Sequence, residues 1–127
     1  MDDLTAFLVA RLDEDEAAAK AAREVASSDT ELAQQAGPCV SDATYVHIER
    51  HGPARVLREV AAGRAILAEH HLTDWMAPGD HVCFRCVLDD DELHPADYGW
   101  LPYPCPTVRA VAAIYSDHPD YRPEWKP

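Results

Sequence analysis

The chain is short of positive charge. Eleven Lys and Arg stand against 23 Asp and Glu in 127 residues, a formal net charge of −12. Nucleic-acid binding needs Lys and Arg clustered against phosphate, so this balance argues against unassisted contact with DNA or RNA. The deficit lies at the two ends. Residues 1–37 carry nine acids and three bases, residues 72–127 carry ten and four, and residues 38–71 carry four of each. Such a surface favours solubility and suits a basic protein partner. Long apolar runs are missing too. Nothing approaches the roughly 18 apolar residues of a membrane span. The opening "MDDLTAFLVARLDEDE" is acidic, and its apolar run is too short for a secretory leader. A cytoplasmic protein without membrane contact is therefore expected. Bulky side chains are few as well: the hydrophobic share is 47% but the aromatic share is 8%, and much of the remainder is alanine. Alanine buries little area, so the core is thinner than the percentage suggests. No internal repeat or low-complexity tract is present.

What is present is helical periodicity broken by proline-rich segments. Residues 2–24 place Leu4, Phe7, Leu8 and Leu12 on one stripe, with Asp2 or Asp3 as the cap. Residues 26–43, with Gly37-Pro38, read as a connector. "TYVHIER" at 44–50 alternates and is rich in β-branched and aromatic types, which predicts a short strand. Gly52-Pro53 opens a central helix that runs to His70-His71, with Val56, Leu57, Val60 and Leu67 on its apolar face. "HVCFRCVL" at 81–88 has the pattern of a short hairpin or knuckle. A last helix starts at Pro106, and Asp117-His118-Pro119 stops it. Tyr121 and Trp125 are expected to pin an extended tail to the body. The fold class is thus mainly α: a small single domain, 1–127, of about three helices with a short β or knuckle segment. Its parts are an acidic helix (1–25), a linker (26–43) and a body (44–127).

The chemistry sits in the cysteines. In a reducing compartment, closely spaced thiols read as metal-binding or catalytic before they read as disulfides. Cys83-x-x-Cys86 offers two ligands from one tight turn, with nearby amides free to donate to the sulfurs. Cys105 adds a third at the start of the last helix. One histidine would complete a closed tetrahedral set for a structural zinc, one ion per chain. His70 and His71 are both candidates on the helical wheel. His81 is too close to Cys83 for an easy chelate, and His94 lies in an acidic loop. The energetic motive is residues 72–105, over thirty residues with little regular structure. Such a length is unusual in a compact domain without a staple, and structural zinc supplies about 10–16 kcal/mol of apparent binding energy. Cys39, beside Pro38, is read as a bystander.

Two stretches carry a resemblance. "GPARVLREVAAGRAILAEH" at 52–70 and "PCPTVRAVAAIYSDHPDYRPEW" at 104–125 resemble a family of small uncharacterised actinobacterial and actinophage proteins. Its members look alike in an acidic first helix, a central helix ending in histidine, a Cys-x-x-Cys, a Pro-Cys-x-Thr helix and an Asp-His-Pro-x-Tyr tail. The resemblance places Ile-x-x-x-His on Ile66 and His70, so it favours His70 over His71 as the fourth ligand beside Cys83, Cys86 and Cys105. It implies no activity. Where Asp-Pro would be expected, this chain has Gly52-Pro53.

A small acidic zinc-binding protein is the function expected, acting as a non-catalytic interaction module for an unknown protein partner or for its own homo-oligomer. Two alternatives stand beside it. "HIERH" holds His47 and His51 around Glu49 and could serve a metal-dependent hydrolase. A strand would separate these histidines by about 13 Å, however, and the order is not His-Glu-x-x-His. A nucleic-acid-binding zinc module would draw on Arg50, Arg55, Arg58, Arg64, Arg85 and Arg109, against the net charge.

Overall fold

A computed structural model describes residues 2–36, 41–74, 77–88 and 103–127, of which 26–36 by their backbone. Five α-helices and one two-stranded antiparallel sheet lie among these residues: α1 (Asp3–Ala36), α2 (Asp42–Arg50), α3 (Pro53–Glu69), β1 (Leu72–Asp74), β2 (His81–Cys83), α4 (Phe84–Leu88) and α5 (Pro106–Ala112). Short 3-10 turns follow at Ala113–Tyr115 and Pro123–Trp125. The chain is mainly helical, as its periodicity implies.

Two compact units emerge, one of residues 1–11 and 63–127 and the other of residues 12–62. In the first, Asp2 caps α1. Its carboxylate accepts from the backbone N–H of Leu4 (3.1 Å) and Thr5 (3.0 Å), two of the donors that a helix start leaves unpaired. The stripe that follows, Leu4, Phe7 and Leu8, is buried together with Leu67, Val82, Val108, Ala112 and Trp125. Phe7 is the hub of an aromatic cluster. Its ring lies 5.1 Å from Trp125, 5.6 Å from His118, 6.2 Å from Tyr121 and 6.3 Å from Tyr115. Tail pinning by Tyr121 and Trp125 follows from these contacts.

Arg109 fastens the tail from the other side. Its Nε donates to the Pro104 carbonyl (3.0 Å), and its Nη1 donates to the carbonyls of Glu124 (2.9 Å) and Lys126 (3.3 Å). An ion pair between Arg122 and Asp3 (2.7 Å) adds a contact to the start of α1. Both side chains are half or more exposed, so the pair contributes little on its own.

The second unit holds the rest of α1, all of α2 and the start of α3, with Leu12, Ala19 and Val60 buried. Two expectations change here. Residues 26–36 continue α1 instead of forming a connector. Glu31, Leu32, Ala33, Gln34 and Gln35 are all good helix formers, and the break comes only with Gly37-Pro38. The predicted strand at 44–50 is the helix α2. Ser41 decides it: its hydroxyl accepts from the Thr44 N–H (3.3 Å), and Asp42 occupies the first turn. With no neighbouring strand to pair with among the described residues, alternation alone could not hold an extended conformation. Cys39, His94 and the acidic loop at 89–92 lie outside the described residues.

Candidate metal centre

The site is assembled by three local structures of the first unit. The first is the end of α3, where the His70 N–H still donates to the Ile66 carbonyl (2.9 Å) and so keeps the helical course one residue past Glu69. The second is a hairpin that runs directly into a helix. Leu72 pairs with Cys83, Thr73 with Val82 and Asp74 with His81, and the Phe84 N–H donates to the His71 carbonyl (2.9 Å). Gly79 makes the turn with φ of +100°, which costs a side-chain-bearing residue strain that glycine avoids. Asp74 and Asp80 accept from the Gly79 and Ala77 amides and close the loop. Cys83 therefore ends a strand, and Cys86 falls in the first turn of α4. The third structure is the start of α5. Cys105 is its N-cap residue, yet its side chain makes no cap hydrogen bond. The Tyr103 N–H donates to the His81 carbonyl (3.0 Å), which ties this approach to the hairpin.

These supports bring His70, Cys83, Cys86 and Cys105 together, with one ligand atom from each within 4.8 Å of all the others. The three thiols are free, and Cys83 and Cys105 are fully buried. His70 Nδ1 stands 3.4 Å from the Cys83 sulfur, 3.6 Å from Cys105 and 3.8 Å from Cys86. One ring nitrogen offers one proton or one lone pair, so it cannot hydrogen-bond all three sulfurs. Four atoms around a common centre explain the spacing. Bonds of about 2.3 Å to sulfur and 2.0–2.1 Å to nitrogen, at tetrahedral angles, put sulfur and nitrogen roughly 3.6 Å apart. The donor set and its dimensions both fit a metal ion.

Electrostatics point the same way. Burial, above all, pushes the Cys83 thiol above its ordinary pKa, although a hydrogen bond from the Cys86 backbone works against this. Burial, reinforced by the Cys83 and Cys105 sulfurs, pushes Cys86 up to about 12. Three sulfurs so close in a dry site resist sharing negative charge. A divalent cation at their centre removes that conflict.

The geometry separates the histidine candidates. His71 is turned away, its Nδ1–H donating to the Ala68 carbonyl (2.8 Å) and its ring stacked on Phe84 at 4.6 Å. His81 is exposed on β2, outside the cluster. Among the described residues, no other group of three or more His, Cys, Asp or Glu side chains converges in this way.

Sequence reasoning missed Tyr103. Its hydroxyl meets the Thr5 hydroxyl (2.5 Å), and burial raises the phenol to about 12. Its position two residues before a ligand-type cysteine was the available signal.

Fold and site together define a mainly helical protein with one compact His/Cys₃ cluster on a hairpin–helix knuckle. The chain belongs to the family of unknown function DUF6221, whose model matches residues 1–127. No curated protein and no solved structure matches it. No helix among the described residues is long and apolar enough to cross a membrane.

Proposed function

We propose that the protein is a zinc-stapled, non-catalytic interaction module. His70, Cys83, Cys86 and Cys105 hold one structural zinc per chain, and the surface that the staple stabilises serves protein recognition. The observation that carries this reading is the set of three sulfurs around one imidazole nitrogen at 3.4–3.8 Å. Thiolate-rich tetrahedral sites select zinc among the common borderline ions. With all four positions taken by protein, no place is left for a water or a substrate, and this supports a structural role over a catalytic one. Three thiolates, one neutral imidazole and a divalent ion leave the site at −1.

Zinc here would link the end of α3, the hairpin and the start of α5, adding to the backbone hydrogen bonds from Phe84 to His71 and from Tyr103 to His81. The acidic ends of the chain suit a basic protein partner, or a basic region of a second copy. A hydrolase built on His47 and His51 would want a third protein ligand, and none joins that pair among the described residues.

Native mass spectrometry of the purified chain tests the reading. One zinc per chain is expected, removed by chelator and absent from the double variant Cys83→Ser/Cys86→Ser. A chain without metal, or zinc retained by that variant, overturns it. The same spectra show whether a second copy is the partner.

A further inference from the structure

The correction of residues 42–50 from strand to helix changes what His47 and His51 can do. Side chains four apart on a helix lie one above the other on a single face. His47 lies in α2 and His51 is its C-cap residue, whose N–H still donates to the His47 carbonyl (3.1 Å), and the two imidazole rings are 4.5 Å apart, centroid to centroid, and inclined by 33°. Two imidazoles bound side by side to one ion stand roughly 4.5–5 Å apart, given metal–nitrogen bonds of about 2.0–2.1 Å. The pair already has that spacing.

Nothing else claims these rings. Both residues are exposed, and α2 buries none of its side chains. Among the described residues neither imidazole has a hydrogen bond or an ion pair, and the aromatic contact of each is with the other ring. The carboxylate between them is occupied elsewhere, since Glu49 is the hydrogen-bond partner of the Tyr45 hydroxyl. Both histidines also fall near the C-terminal end of α2, where the helix dipole favours positive charge.

We infer that His47 and His51 form a second metal site, a two-imidazole chelate for a borderline first-row divalent cation, with its remaining coordination positions open to solvent. It differs in kind from the His/Cys₃ cluster. Neutral imidazoles without thiolate suit nickel, copper and zinc, in the affinity order nickel below copper and copper above zinc. An open two-ligand site exchanges its ion readily, whereas a closed four-ligand site keeps it. The chain therefore presents one resident ion and one exchangeable ion.

The test keeps the first site filled. The zinc-loaded full chain is titrated with nickel(II) alone by calorimetry, and native mass spectrometry confirms that zinc stays bound. One additional nickel per chain is expected. His47→Ala and His51→Ala should each weaken it at least tenfold, and His71→Ala and His81→Ala should leave it unchanged. In a complementary NMR titration, paramagnetic nickel should broaden the ring signals of His47 and His51 before those of the other histidines. Both residues are solvent-exposed, so the variants should keep the far-ultraviolet circular dichroism of the parent. Absence of the extra equivalent overturns the inference, as does equal binding by the double variant His47→Ala/His51→Ala.

Discussion

Zinc affinity should depend steeply on pH. A cysteine ligates as thiolate, but burial raises the Cys83 thiol in the metal-free protein, and burial with the neighbouring sulfurs carries Cys86 to about 12. Both therefore hold their protons throughout the neutral range, and zinc must displace at least two protons to bind. The sign follows from competition. Protons and zinc seek the same sulfurs, so affinity falls as pH falls and rises as pH rises, until the raised thiol pKa values are reached. With at least two protons released, the apparent association constant should change by no less than about 100-fold per pH unit, or roughly 1,000-fold between about pH 6 and about pH 7.5. Competition against a chromophoric chelator measures the slope. Calorimetry in buffers of different ionisation enthalpy counts the protons directly. Cys86→Ser should lower the count by one. A flat affinity profile with no proton release would refute the reasoning, because it would mean that these thiols are not the ligands.

Further outcomes are expected elsewhere in the same unit. His70→Ala should abolish stable zinc binding and His71→Ala should not, read by zinc content after gel filtration; the His71 ring is turned to the Ala68 carbonyl and to Phe84. Phe7→Ala should cost about 3–5 kcal/mol by urea unfolding, since it empties the centre of the aromatic cluster. Arg109→Ala removes three hydrogen bonds to carbonyls; a loss of about 1–3 kcal/mol is expected, with faster amide exchange confined mainly to residues 122–127. Gly79→Ala should cost about 1 kcal/mol through its positive φ alone, because a methyl group there meets open space.

The cluster was more legible in the sequence than the helices around it. Spacing singled out Cys83, Cys86 and Cys105 because metal ligands must come from short, stiff segments, and stiffness leaves a local pattern. The choice between His70 and His71 stayed open on the helical wheel, where the two neighbours differ by only one residue's rotation. The resemblance to related chains favoured His70, and it is the His70 ring that stands beside the sulfurs of the hairpin, α4 and the start of α5, while His71 is held by the Ala68 carbonyl and Phe84.

The connector expected at 26–43 failed over 26–36 because those residues carry helix propensity without an apolar period, and period is the stronger signal. Residues 44–50 failed for the opposite reason. Thr44, Val46 and Ile48 alternate well, but Ser41 and Asp42 set a helix start just upstream, and a nine-residue segment obeys its cap. Arg109 was invisible as a clamp, since its partners are carbonyls that no side-chain pattern encodes.

The contact between Asp3 and Arg122 joins residues 119 positions apart. A ribosome adding about 5–20 residues per second needs roughly 6–24 s to bridge that interval. Through that wait Leu4, Phe7 and Leu8 have been made, but the aromatic rings that will cover them have not. The newborn helix thus carries an apolar stripe whose aromatic cover, Tyr115, His118, Tyr121 and Trp125, is made more than a hundred residues later.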